Sequence, residues 1–498
     1  RRRAGILTAA TVDELKAAIE RSQTATPIEF AGWLPVYELA GNCGQHPQFL
    51  HTDIPPEGYR FTTSAPPIAN RPSRWARLWR RIKSPFMKIG RGAAAATRVF
   101  GAFFRPRRGV TLRARFSIFA AMLALFARLL ARGCRTASIL KFFQTRHLQS
   151  QLLLGRRKAP VFLTSMPFTF NQGPWVIEIE DPTTLFFPII QNGNTAHLDV
   201  AASPYLPIVK AMLEADACKA ILTHMQSTAR MAATLFDSDI IRDKIVHAPL
   251  GVKLPARWQR HEPQADGEPI DLLFINSWCQ VPSNFYLRGG LDILEAFATL
   301  RIRYPQLRLT MRTALPELDD HYHRILEGGW VRVINRFLSA EEMADLHAGS
   351  HIFLLPSARV HIVSLLQAMS YGLAVVGSDG WGMNEYLAHE ENGLMVKGRY
   401  GKASWADEQA GFLRENYETM YTADPEVVEG IVEAVSRLVE DFELRRRLGR
   451  QARHDVQTRF TLEGWNAGVA AALSRAKPPA QRIQLESIGD SQPVPEHA

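Results

Sequence analysis

The residues best suited to chemistry lie close together in SLLQAMSYGLAVVGSDGWGMNEYL, residues 364–387, followed by ENGLMV, residues 391–396. The spacing predicts a short helix from about Ser364, a stop at Gly372, a buried strand over 373–377 and a polar, glycine-rich loop over 378–382. Helix, strand and loop then meet at one place. Helix N-terminal N–H groups and loop amides point into a common crevice, where an anion gains unpaired donors and about half a positive charge of dipole. Gly380 and Gly382 admit a backbone approach that a Cβ would block. A nucleotide diphosphate suits such a crevice.

The elements that must hold this crevice can be read on both sides of it. In the N-terminal half, 160–165 and 174–186 read as strands, the second running into a polar loop at Glu178, Glu180 and Asp181. A helix near 205–215, a strand at 219–223, a helix near 228–236 and a strand at 244–248 follow. This alternation argues for a parallel sheet with both faces covered. Polar, Pro-containing sequence over 253–269 reads as a linker, and a second series opens at Ile270. There, 291–303 has helical apolar spacing stopped by Tyr304-Pro305, and Asp424-Pro425 opens a helix running to about Asp441. A helix-like pattern over 12–19 precedes a loop-rich stretch, and no internal repeat is visible.

The segment 364–396 resembles the donor-binding segment of the retaining glycosyltransferases of family 4, which have two Rossmann-like domains facing each other, the GT-B fold. The resemblance continues through 274–278 with RGGLDILEAF (288–297), through LSAEEMADLHAGSHIFLLPS (338–357), and more weakly back to Pro174 and forward to about Leu473. It implies an α/β GT-B chain with an acceptor-side N-terminal domain over 1–253, carrying a basic helical insertion at about 71–135. The linker would be 254–269 and the nucleotide-sugar-binding domain 270–461. A helix at 462–475 would cross back to the N-domain, ahead of a disordered tail at 476–498.

Carried over residue by residue, the resemblance implies a donor site with departures. The family's pair of glutamates eight positions apart, the first on sugar hydroxyls and the second on the ribose, falls on Arg359 and Gln367. Gln367 keeps an acceptor and adds donors, whereas Arg359 reverses the sign. The family's phosphate-facing Arg and Lys fall on Ser277, beside Asn276, and on Gly289. Arg288 stands one position away with a planar, permanently charged fork, so Arg288 and Arg359 are expected to replace the missing cations jointly. The alternative is that each is an ordinary surface arginine. Ser364 opens the helix, Asp379, Gly380 and Gly382 match the family's nucleotide loop, and Glu385 matches its recurrent acid. His361 stands where relatives carry an aromatic residue and could donate to the donor sugar or phosphate. Glu180, followed by Asp181, stands where relatives carry a histidine near the anomeric carbon. These carboxylates could orient an acceptor hydroxyl or stabilise oxocarbenium charge, or simply cap a nearby N–H.

Charge is unevenly distributed. The 498 residues carry a net charge of +10, yet no Asp or Glu lies between Glu57 and Glu178, an interval holding 23 of the 59 Lys and Arg. The chain is an acidic, enzyme-like body with a basic segment. In that segment RPSRWARLWRRIKSPFMKIGR (71–91) interleaves Trp75, Trp79 and Phe86 with cations, and 116–127 is predominantly apolar but too short to span a bilayer. Lys and Arg at anionic headgroups with aromatics in the interface suit a peripheral membrane contact. A solvated arm with a packed helix, and nucleic-acid binding, are the alternatives; no nucleic-acid module is recognisable, so that partner is not expected. Four cysteines without ligand spacing indicate neither a disulfide framework nor a zinc site. A cytoplasmic protein, peripheral on the inner membrane face, is expected.

The expected function is transfer of a sugar from a nucleotide-sugar donor to a glycan, lipid-linked or other acceptor. By resemblance the transfer is retaining and metal-independent, with no cofactor beyond the donor. A GT-B epimerase or phosphorylase is the alternative enzyme. A catalytically silent GT-B module binding nucleotide sugar, glycan or a partner is the alternative of a different class, and the altered glutamate pair favours it.

Overall fold

The computed structural model describes residues 25–32, 47–63, 112–146, 159–165, 173–187, 189–256, 267–276 and 282–476. The helix expected at 12–19, the basic segment before residue 112, most of the linker, Ser277 and the tail beyond Ala476 lie outside them.

In the N-domain, β1 (Thr26–Gly32), α1 (Leu50–Asp53) and β2 (Tyr59–Thr63) precede two helices, α2 (Leu112–Ala131) and α3 (Thr136–Arg146). Then come β3 (Val161–Thr164), β4 (Trp175–Glu178), α4 (Leu206–Glu214), β5 (Cys218–Thr223), α5 (Gln226–Phe236), α6 (Asp239–Arg242) and β6 (Ile245–His247). The six strands pair parallel in the order β2-β1-β3-β4-β5-β6. Strands β3 and β4 are buried along their whole length, as continuous apolar runs in a sheet covered on both faces must be.

The C-domain comprises β7 (Ile270–Ile275), α7 (Asn284–Leu287), α8 (Gly290–Arg303), β8 (Leu307–Arg312), α9 (Asp320–Glu327), β9 (Val331–Val333), α10 (Ala340–Ala348), β10 (Ile352–Leu355), α11 (Ile362–Ser370), β11 (Ala374–Ser378) and β12 (Leu394–Val396). Its parallel order, β12-β11-β10-β7-β8-β9, is the doubly wound Rossmann arrangement. Two parallel, six-stranded α/β domains make the GT-B architecture expected from the sequence. An antiparallel hairpin, β13 (Ser404–Asp407) with β14 (Phe412–Glu415), follows, then α12 (Pro425–Glu440), α13 (Phe442–Thr458) and α14 (Leu462–Ser474).

Local chemistry fixes the helix ends. Ser339 and Glu342 form a reciprocal capping box on α10, and Asp424, ahead of Pro425, accepts from Glu426 N to open α12. Helix α14 crosses to the N-domain and buries Leu462, Trp465, Val469 and Leu473. Trp465 Nε1 donates to His51 Nδ1 at 3.1 Å, and a Cβ on Gly468 would stand 2.2 Å from that of Ala248, so helix and sheet touch backbone to backbone. Among the described residues no helix is long and apolar enough to cross a membrane.

Candidate active site in the interdomain cleft

In open α/β sheets ligands bind beyond the carboxyl ends of the strands, where the strand order reverses. In the C-domain that point lies between β7 and β10. Asn276 follows β7, Ser357 to Arg359 follow β10, and the N-terminus of α11 and the loop after β11 border the same edge. Ser378 Oγ donates to Ser357 O at 2.8 Å. A Cβ on Gly380 would meet Ser357 O at 2.2 Å, so only glycine lets this loop close on the turn after β10. Asp379 turns the other way and accepts from Arg399 N at 2.7 Å and Tyr400 N at 2.9 Å. At the entry to α11, His361 is the residue before the first turn; Ser364 is buried and Gln367 half-buried along the helix.

Several expected site residues join the two domains. The Arg359 guanidinium donates from Nη2 to Glu180 Oε1 and Asp181 Oδ2, both at 2.8 Å, and from Nη1 to Glu415 Oε1 at 3.3 Å. Trp381 flanks it, with the guanidinium carbon 5.2 Å from the ring centre. Glu385, five residues beyond the Gly380 turn, accepts from Gln226 N at 2.5 Å and Ser227 N at 2.9 Å, placing its charge at the N-terminus of α5 in the opposite domain. Next to it, Tyr386 Oη donates to His224 O at 2.8 Å and accepts from Leu250 N at 3.2 Å.

The electrostatics of the Arg359 cluster follow from its burial. Desolvation disfavours the guanidinium's charge, but Glu180, Asp181 and Glu415 outweigh it and hold Arg359 well above the usual arginine range. Burial pushes Glu180 up, while Arg359, His224 and Arg288 pull it down further, so its carboxyl stays below the usual range. Glu415 is fully buried and shares Arg359 with Asp181, and desolvation raises it. Tyr417 Oη donates to it at 2.5 Å. Arg288 is half-buried and lowered to about 10, by desolvation first and by the like charge of Arg359 second. Its Nη1 donates to Ser357 Oγ at 3.2 Å, and its buried Nε has no hydrogen-bond partner among the described residues. Arg288 and Arg359 thus share one neighbourhood. The cation of Arg359, however, is paired directly with three carboxylates, whereas Arg288 makes no ion pair among the described residues and feels Glu180 only at a distance.

Two members of the cluster, Glu415 and Tyr417, are absent from the sequence reading. The only local signal was Gly411 ahead of the short apolar pair Phe412-Leu413, a turn mark without strand alternation on either side. On the N-domain side, the buried His224 Nδ1 lies 3.4 Å from Glu178 Oε1, just inside the cleft edge. A cavity of about 650 Å³ lies elsewhere, against β8, β9 and α10, lined by Arg308, Trp330, Arg332 and Arg336 among others. It touches none of the groups just described. Among the described residues, no group of His, Cys, Asp or Glu is arranged to hold a metal ion.

Residues 283–441, which hold every C-domain residue of the cluster, match the family model for glycosyl transferases group 1. This stretch is similar to the group 1 glycosyl transferases. A comparison with curated proteins gives no match. Among solved structures, sucrose-phosphate synthase from Thermosynechococcus elongatus is similar at 17% identity over 67% of this chain and 74% of that one, with a TM-score of 0.40. A glycosyltransferase from Rickettsia africae is similar at 14% identity over 75% and 84%, with a TM-score of 0.41. Anabaena Alr3699/HepE, solved in complex with UDP-glucose, is similar at 13% identity over 66% and 83%, with a TM-score of 0.43. The strand orders of the two sheets, rather than these distant neighbours, carry the fold. The matched stretch supplies Arg288, Arg359, Glu385 and Glu415 to the cleft, while Glu180 and Asp181 come from outside it.

Proposed function

We propose that this protein transfers a sugar from a nucleotide-diphosphate sugar, held by the group 1 domain, to a hydroxyl of a glycan or lipid-linked acceptor met by the N-domain. The observation that carries this reading is the desolvated Arg288 Nε beside Ser357, without a hydrogen-bond partner among the described residues, at the strand-order reversal of the matched stretch. Anionic oxygens of a diphosphate satisfy such a fork, and the α11 N-terminus and the loop over 378–382 border the same edge. Transfer breaks the bond from the anomeric carbon to the diphosphate oxygen and forms one to the acceptor oxygen, whose proton ends on the departing diphosphate. In this reading transfer is retaining and metal-independent, and positioning and fixed charge lower the barrier. Glu180, held ionised by Arg359, suits stabilising positive charge at the anomeric carbon better than carrying a proton. An anionic membrane surface on the cytoplasmic side, met through 71–135, is where the acceptor is presented.

A second reading rests on Arg359. Its three carboxylate partners complete the cleft without a ligand, as in a catalytically silent module that binds a nucleotide sugar, glycan or partner. A thermal-shift screen of nucleotide-diphosphate sugars separates the cases in two steps. Donor at 100 times its dissociation constant adds about 2.7 kcal/mol of stability. Arg288→Ala should remove roughly 1.5–3 kcal/mol of that binding. Absence of a shift with every donor rejects both enzyme and donor-binding module; a shift without turnover on any acceptor extract selects the silent module.

A further inference from the structure

Helix α2 has two apolar faces, of which the N-domain uses one. Met122 and Leu129 are almost fully buried in the N-domain core, with Phe119, Leu125 and Phe126 packed against it. On the other side Phe116 is 61% exposed, Leu123 45% and Leu130 41%. These three recur every seven residues, and the exposed Ala120 and Ala127 lie between them, so they form one straight stripe about 21 Å long at 1.5 Å per residue. Exposed Arg128, Arg132 and Arg135 stand beside and beyond its C-terminal end. Arg132 pairs with Glu214 at 2.8 Å; Asp and Glu are absent from the whole interval 58–177.

We infer that the Phe116–Leu123–Leu130 stripe of α2 is a docking face for an anionic lipid surface, with the apolar side chains among the headgroups and acyl boundary and Arg128 and Arg135 on phosphates. Charge complementarity decides the occupant. A bare apolar stripe suits any hydrophobic partner, but one flanked by exposed Arg128 and Arg135, in a sequence interval that itself holds no acid, suits a negatively charged bilayer, which offers apolar and anionic groups side by side. A helix lying in the interface needs no spanning length. The inference deepens the membrane setting of the proposed function, and donor turnover is read separately, so either can fail alone.

The test is co-sedimentation of the full chain with phosphatidylglycerol-rich vesicles and with phosphatidylcholine vesicles, in parallel with donor turnover on a water-soluble acceptor. Wild type should bind the anionic vesicles and leave them as salt rises. Leu123→Glu should weaken binding about tenfold or more with turnover on the soluble acceptor unchanged, whereas Leu123→Trp should strengthen it. Arg128→Glu combined with Arg135→Glu should also weaken it. The proposal is overturned if wild type does not bind, if it binds neutral vesicles equally, or if the Leu123 variants bind like wild type, which would leave the upstream basic residues acting alone. It is equally overturned if wild type is a dimer that Leu123→Glu dissociates while vesicles are ignored, or if it retains only RNA.

Discussion

At Arg359 a single side chain satisfies Asp181 and Glu415, both fully buried, and Glu180 at the cleft edge. Removing the cation leaves carboxylates in a medium that cannot solvate them. Arg359→Ala should therefore destabilise the protein by about 3–5 kcal/mol, read by urea denaturation, whereas Glu180→Gln should cost far less because its site is wetter. Equal losses would mean that burial at Asp181 and Glu415 does not govern the cluster. His51 gives the pH dependence. Burial lowers it to about 4, from 6.5 in the open chain. The unfolded state then binds the extra proton between those values, so stability is full above pH 6.5 and falls as the pH drops towards 4, by up to about 3 kcal/mol. His51→Asn should flatten that part of the stability profile, leaving a residual slope from His347, lowered to about 4 for the same reason. The residue types of the cleft were legible in the sequence, but their partners were not. Arg359 meets Asp181 across 178 positions, Glu180 across 179 and Glu415 across 56, and no spacing rule reaches that far.

Among the elements, apolar runs made β3, β4, β5 and β11 readable, Asp424-Pro425 marked the start of α12, and α10 and β10 were legible only through the family resemblance of 338–357. Strands β1 and β2 escaped notice because TPIEFAG carries Pro and Gly and YRFTT is five residues long; their partners in the sheet, not their own pattern, make them strands. The hairpin β13–β14 escaped likewise, although it brings Glu415 to Arg359 and receives Thr195 Oγ1 on Leu413 O at 2.7 Å. Helix α5 illustrates dependence between elements. No side chain of its own caps it, and Glu385 of the other domain fills that role. Glu385→Ala should cost about 1 kcal/mol and speed amide exchange at Gln226 and Ser227, while the last turn of α5 keeps its protection. Unchanged exchange at those two amides would show that the cap does not hold the domains together there.

For the whole molecule, the two sheets are held together across the cleft by the Arg359 cluster, the Glu385 cap, the hairpin on Thr195, and α14. Trp465 is the anchor of α14, packed against His51 and His224 and 1% exposed. Trp465→Ala should cost about 3–5 kcal/mol and lower the unfolding midpoint of the N-domain, although the substitution lies near the C-terminal end of the described chain. If only the C-domain is weakened, α14 belongs to it in energy as well as in sequence. The crossing also sets a timetable for biosynthesis. Strand β6 leaves the ribosome more than two hundred residues before α14, which covers β5 and β6; at the usual 5–20 residues per second the apolar face beneath α14 waits about 10–45 s for its cover. During that interval the half-finished N-domain presents Leu222, Ala248 and Leu250 to whatever the cell offers, so a holdase that shields nascent apolar surface should raise the yield of this protein more than one that acts after release.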